Sequence, residues 1–177
     1  MDNVVQLETL ESIIEENKNF ALDYFKEKGE LRPMIVGYQK QNKAKFILLG
    51  DMFESKEKYL TIAKLAFTAL DVNQYVSIHE GWAVIGEEDV YKEYKSLADH
   101  PKRVEVLNIV AKNRQNAKLV TYKILPDRSL ELLHELSGNQ VGGTFSELLP
   151  PKEVPARLRE LLKQELSKYI NLDHCIN

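Results

Sequence analysis

Apolar residues recur every three or four positions near the start of the chain, and this period predicts an amphipathic helix over residues 4–28. Glutamates come early in the segment and lysines follow, an order that compensates the helix dipole. Gly29 offers a stop signal, since glycine readily adopts the left-handed conformation of a helix C-cap. The apolar stripe consists of Leu7, Leu10, Ile13, Ile14, Phe20, Ala21, Tyr24 and Phe25.

Two short apolar segments come next and predict a β-hairpin. Residues 33–38 and 44–49 are strand-sized, and the polar residues 39–43 between them suit a hairpin loop. A second helical stripe then predicts a helix from Ser55 to about Leu70. The Ser55 hydroxyl can cap its start by accepting a hydrogen bond from an otherwise unpaired backbone N–H.

Residues 75–85 alternate between apolar and polar positions, which predicts a strand. One residue breaks the pattern, because Glu80 stands where alternation requires an apolar side chain. The apolar residues of that face are Val76, Ile78, Trp82 and Val84. Burying an unpaired carboxylate is costly, so Glu80 requires a cation or hydrogen-bond donors.

Residues 86–102 form a long polar connection that ends at His100 and Pro101. A connection of this length in a compact domain is typical of a mobile segment or a functional lid. A short helix around Val90–Leu97 is one alternative within it.

The second half of the chain predicts three strands and a helix. The strands are Arg103–Ala111, Leu119–Leu125 and Leu130–Leu136, and the short turns between them indicate an antiparallel meander. A final helix follows, and we expect residues 171–177 to form a flexible tail. The stripe of this helix is Val154, Leu158, Leu161, Leu162, Leu166, Tyr169 and Ile170.

The predicted element order is α-β-β-α-β-β-β-β-α. It indicates one α+β domain over residues 1–177, with a mainly antiparallel sheet of about five to six strands and N-terminal, central and C-terminal helices. This order resembles profilin-like and roadblock-type layouts, in which an antiparallel sheet carries helices. The resemblance concerns element order only and implies nothing about function.

Composition narrows the class of protein. The chain has 177 residues and a net charge of −3, a mild acidity that disfavours a protein that coats nucleic acid. Its single cysteine, Cys175, permits neither an intramolecular disulfide nor a cysteine zinc site. We expect a cytoplasmic protein, because neither a signal peptide nor a membrane-length apolar run is present.

Signatures of nucleotide-binding loops, serine hydrolases, zinc proteases and EF-hands are absent from the sequence. The candidate site therefore depends on polar residues around the long connection. We take Glu80, His100 and Arg103 as candidate catalytic residues, with Arg103 as the cation expected beside Glu80.

Three further residues, His79, Trp82 and Glu105, are candidate binding residues. The alternative for the whole group is a structural ion pair at the sheet edge, which is the more frequent role of such residues. A metal site built from His79 and His100 with a carboxylate is disfavoured, because neighbouring residues of a strand point to opposite faces. We expect no metal and no cofactor.

Two other features carry weaker hypotheses. Gly138 with Gly142–Gly143 resembles an anion-binding loop, but it lacks the lysine of a phosphate loop, and a plain flexible connection is favoured. Basic residues cluster at two predicted hairpin tips and would contact phosphates only if the tips are adjacent. They are Lys40, Lys43, Lys45, Lys112, Arg114 and Lys118.

The wide apolar stripes of the first and last helices favour a non-enzymatic interaction or accessory protein that self-associates through a helix or a sheet edge. The expected partner is a second copy of the chain or another protein, with no membrane and with nucleic acid disfavoured. The alternatives are a small enzyme with an acid/base site at Glu80, His100 and Arg103, and a nucleic-acid accessory factor that uses the basic hairpin tips.

Overall fold

The computed structural model describes residues 9–40, 44–85 and 95–176. Within these ranges the chain forms four α-helices and a six-stranded antiparallel sheet, which confirms the predicted α+β class and broadly the predicted order of elements. The helices are α1 (Leu10–Lys28), α2 (Lys56–Ala69), α3 (Ala156–Leu166) and α4 (Leu172–Cys175). The strands are β1 (Met34–Gln39), β2 (Lys45–Leu49), β3 (Val72–Val84), β4 (Arg103–Asn113), β5 (Ala117–Ile124) and β6 (Leu130–Ser137).

The strands lie in the order β2-β1-β3-β4-β5-β6. Strand β1 pairs with the hairpin partner β2 on one side and with β3 on the other, so α2 crosses over between β2 and β3. The pairing of β1 with β3 extends to Met34 opposite Ile78, whereas β3 continues along β4 as far as Val84. The last part of β3 therefore extends beyond β1, and this is where the candidate site lies.

Helix α1 covers one face of the sheet. The Thr9 hydroxyl caps it by accepting a hydrogen bond from the Ser12 N–H at 3.1 Å, and Gly29 ends it in the left-handed conformation with φ 72°. The helix was predicted to begin at residue 4, but residues 4–8 lie outside the described residues. Its buried side chains, including Ile13 and Phe25, share a core with the sheet residues Val36, Val76, Ile78, Leu107 and Ile109.

Helices α2, α3 and α4 cover part of the opposite face. Ser55 caps α2 as predicted, by accepting from the Lys58 N–H at 3.1 Å. Gly37 of β1 permits the close approach of α2, since an added Cβ would lie 2.7 Å from Cε1 of Phe67. The sheet thus lies between two helical layers, and the second layer is centred on β2, β1 and β3.

The C-terminal segment packs against this second layer. Residues 171–177, predicted as a flexible tail, include α4, in which Cys175 is buried, and Ile176 forms an isolated bridge with Phe46 of β2. The sequence did not indicate this packing because four helical residues are too few to display a period.

Most of the long connection lies outside the described residues, which exclude residues 86–94. The helix considered around Val90–Leu97 therefore falls largely beyond them, and a short 3₁₀ turn occupies Leu97–Asp99. No helix in the described part of the chain is both long and apolar enough to cross a membrane.

Candidate functional site

The predicted site residues divide between the two faces of β3. Glu80 contacts groups on the α1 side, where it meets the backbone of Leu31 and the side chain of Arg128. His79, its neighbour in sequence, stacks on Phe145 on the other side of the sheet. The prediction that His79 and Glu80 point to opposite faces is confirmed, and two distinct polar environments result.

Glu80 is held by two partners. Its Oε1 accepts a hydrogen bond from the Leu31 N–H at 2.8 Å, and its Oε2 lies 3.7 Å from Nη2 of Arg128. The prediction that Arg103 is the cation beside Glu80 is wrong, because Arg128 from the β5–β6 turn takes that place. Alternation along β3 identified the carboxylate, but the partner depends on how the β5–β6 hairpin folds back over the sheet.

Arg128 links several parts of the α1 side. It donates from Nη1 to Glu105 at 3.0 Å and from Nε to the Gly29 carbonyl at 2.7 Å, and its guanidinium lies 4.9 Å from the centre of the Phe25 ring. Arg128 itself occupies the left-handed region with φ 64°. It thereby ties the end of α1 to β3 and β4, which is the structural ion-pair alternative of the sequence analysis.

The other predicted residues lie nearby. The Arg103 guanidinium stacks over the Trp82 ring at 5.0 Å and donates to the His100 carbonyl at 3.3 Å. The His100 side chain is buried, and its Nδ1 accepts from the Lys102 N–H at 3.0 Å. Arg103 and His100 are thus in contact, while the joint catalytic role of Glu80, His100 and Arg103 stays a prediction.

His79 has an unusual environment on the α2 side. Its ring stacks on Phe145 with centroids 4.0 Å apart and planes 19° apart. Nδ1 is buried without a hydrogen-bond partner among the described residues, and the same holds for Oγ of Ser77 two positions earlier. Burial, aided by the positive charge of Lys56, lowers the pKa of His79 to about 4, so the ring is uncharged at neutral pH.

A cavity of about 670 Å³ opens beside His79. Its floor is the part of the sheet that α2 leaves uncovered, and its walls come from the start of α2 and from the segment around Phe145. Gly142 and Gly143, noted in the sequence as a weak anion-binding loop, also line it. Lys56, with Nζ 4.9 Å from the centre of the Phe145 ring, supplies the lysine that the loop itself lacks.

A row of polar residues crosses the sheet at this point. His79 lies directly opposite Asn108 on β4, which lies opposite Thr121 on β5. The Thr121 hydroxyl donates to Oδ1 of Asn108 at 2.8 Å, so the Asn108 amide NH₂ is directed elsewhere. A Cβ placed on Gly81 would lie 3.6 Å from this nitrogen, which puts the NH₂ beside the cavity-lining part of β3.

Two carboxylates in the segment before α2 also line the cavity, and each lies beside a cation. Arg32 binds Asp51 through two hydrogen bonds, one of them 2.8 Å long, and this pairing lowers the pKa of Asp51. Glu54 lies 3.7 Å from Nζ of Lys58. Lys56, by contrast, has no carboxylate partner among the described residues, so its ammonium is available to a ligand in the cavity.

Sequence reasoning missed Lys56, Asn108 and Phe145. Lys56 follows a helix cap and Asn108 lies in a strand, positions at which a polar residue is ordinary. The Gly142–Gly143 pair was the one available signal. Among the residues that the structure describes, no group of three His, Cys, Asp or Glu side chains is arranged to hold a metal ion.

The two basic hairpin tips do lie close together. Lys40 and Arg114 line one cleft of about 350 Å³, but Glu153 lies in it too and binds Lys40 at 2.8 Å. Glutamates also pair with Lys45 and Lys118, and Lys43 lies outside the described residues. Three of the five described basic residues at these tips are therefore paired with glutamates, which weakens the support for the nucleic-acid alternative.

Comparison of the chain with known protein families, with curated proteins and with solved structures gives no match. The resemblance to profilin-like and roadblock-type layouts consequently stays a prediction.

Proposed function

We propose that the protein is a non-enzymatic interaction or accessory protein that self-associates through α3. The observation that supports this proposal is the exposure of three large apolar side chains on α3 and on the turn that follows it. Leu158, Leu161 and Tyr169 are 45%, 56% and 52% exposed. We call these three residues the α3 stripe.

The apolar stripe predicted for the final helix runs from Val154 to Ile170, and it is wider than the contact that α3 makes with α2. Leu166 and Ile170 are buried in the core, and Leu162 packs against it in part. Leu158 and Leu161 lie one turn apart on the outer side, where about half of each side chain is exposed. Contiguous exposed apolar side chains are typical of protein contact sites.

The charges of α3 favour a second copy of the chain as the partner. The first turn contains Arg157 and Arg159 and no acidic residue, an order that the helix dipole disfavours. Arg159 is paired with Asp71 at 3.6 Å. An antiparallel copy of α3 centred on Leu161 would bring Glu165 opposite Arg157, which compensates this charge in both subunits of a symmetric dimer.

The proposal is tested by sedimentation equilibrium of the wild-type chain and of Leu161→Glu. We expect a concentration-dependent dimer for the wild type and a weakening of at least about tenfold for the variant, because a carboxylate would be buried in an apolar contact. Leu132→Glu on β6 is the matched control, since Leu132 is 54% exposed but lies on the edge strand.

A strictly monomeric wild type at high concentration would overturn the proposal. Dissociation by Leu132→Glu but not by Leu161→Glu would move the contact to the sheet edge. A charge exchange refines the geometry: Arg157→Glu should weaken the dimer, and adding Glu165→Arg should restore it.

The enzyme alternative has less support. It requires Glu80 to exchange a proton with a substrate, yet the Leu31 N–H and Arg128 occupy its two oxygens. These contacts favour a structural role for Glu80.

A further inference from the structure

We propose that the cavity beside His79 binds a small organic monocarboxylate with a flat apolar body, which His79, Asn108 and Lys56 hold by its carboxylate group. This site lies apart from the α3 stripe, so the inference does not depend on self-association. It rests on the unpaired donors, the charge and the walls of the cavity.

The His79 ring offers a donor. Its Nδ1 is buried and has no partner among the described residues. A buried N–H without an acceptor is rarer in proteins than an unpaired acceptor, so we assign the proton of the neutral ring to Nε2. Because His79 lines the cavity, this Nε2–H is the ring group available to a ligand.

Two further donors surround the same space. The Asn108 NH₂ is available because Thr121 has engaged only the amide oxygen. The Lys56 ammonium lies over the Phe145 ring, and that ring stacks on His79. A ligand that satisfies all three groups must present acceptor oxygens, and the ammonium favours a negative charge on them.

The carboxylates that line the cavity do not compete for these donors. Asp51 and Glu54 are paired with Arg32 and Lys58, and the Glu80 carboxylate is held on the α1 side by the Leu31 N–H and by Arg128, which it shares with Glu105. Lys56 is thus the cation beside these donors that has no carboxylate partner among the described residues. A single cation matches a monoanion better than a phosphate dianion, whose second charge would remain unpaired.

The walls indicate the rest of the ligand. The rings of Phe53, Tyr59 and Phe145 line the cavity together with polar groups, and its volume of about 670 Å³ suits a small organic molecule. Aromatic walls favour a flat apolar body, which stacks against rings at low entropic cost.

The test is a titration with benzoate followed by ¹H–¹⁵N NMR, in which the Asn108 side-chain amide is observed directly. We expect saturable shifts of that amide and of the Gly143 backbone amide, with roughly millimolar affinity for a probe of this size. Benzamide has the same shape without the charge and should bind about tenfold more weakly. Inorganic phosphate should also bind more weakly than benzoate.

Variants identify the groups responsible. Lys56→Gln should weaken benzoate binding about tenfold, whereas Lys64→Gln, the same change on the exposed side of α2, should leave it unchanged. Asn108→Asp keeps the acceptor for Thr121 but replaces the donor with a carboxylate, and it should abolish binding. The proposal is overturned if benzoate leaves both amides unshifted, if Lys56→Gln and Lys64→Gln have equal effects, or if phosphate binds more tightly than benzoate.

Discussion

His79 and Glu80 are neighbours on β3, yet their surroundings differ in one essential respect. On the α1 side, both Glu80 oxygens have partners, and Arg128 joins Glu80 to Glu105 and to the end of α1. On the α2 side, His79 Nδ1 and Ser77 Oγ are buried with no partner in the described residues. A satisfied cluster contributes to folding, whereas buried unpaired groups cost free energy. The donors of the proposed ligand site, Nε2 of His79 and the Asn108 NH₂, lie on the same side as these unpaired groups.

The largest expected effect concerns the acid stability of the His79 side. The pKa of His79 is 6.5 when unfolded and about 4 when folded, so the unfolded chain binds the proton more tightly. Above pH 6.5 the ring is uncharged in both states, and its full contribution to the unfolding free energy is present. As the pH falls from 6.5 to about 4, protonation of the unfolded chain lowers the unfolding free energy by at most about 3 kcal/mol.

Urea unfolding of the wild type and of His79→Gln over this pH range measures the contribution. Glutamine does not titrate, so the stability advantage of the wild type over the variant should shrink, or reverse, as the pH falls. Parallel stability curves for the two proteins would show that protonation of the His79 ring does not cause the loss of stability at low pH. The proposed difference between the two faces would then be wrong.

A smaller effect is expected on the Glu80 side. Arg128→Ala removes the hydrogen bond to Gly29 and leaves the carboxylates of Glu80 and Glu105 without their cation. These side chains are partly exposed, so we expect a loss of about 2 kcal/mol of unfolding free energy at neutral pH, less than for a fully buried pair.

Arg32→Ala is the matched control for that measurement. It breaks an exposed ion pair with Asp51 and should cost less than about 1 kcal/mol. Equal losses for the two variants would mean that Arg128 is an ordinary surface residue and that the α1 side is not held by its ion-pair network.

The sequence predicted the features that depend on local periodicity. Alternation along β3 identified Glu80 as an exception and assigned His79 to the opposite face. Ser55 was recognised as the cap of α2 because capping involves only residues close in sequence.

The features that the sequence did not predict depend on contacts between distant segments. Arg128, rather than Arg103, lies beside Glu80 because of the position of the turn between β5 and β6. This turn lies far along the chain from Glu80. Lys56 and Asn108 become notable only because the fold places them beside a histidine whose Nδ1 has no partner among the described residues. Likewise, the width of the last apolar stripe indicated surplus apolar residues, but it did not identify Leu158 and Leu161 as the ones outside the contact with α2.

The contrast between the two faces is tested most directly by an NMR pH titration of the His79 ring. The chain has four histidines, and the spectrum of His79→Gln assigns the signal of His79 by its absence. The ring, whose Nδ1 is buried without a partner among the described residues, should titrate with a pKa of about 4. A pKa at or above the unfolded value of 6.5 would contradict the account, because the ring would then be solvated or paired with an acidic group.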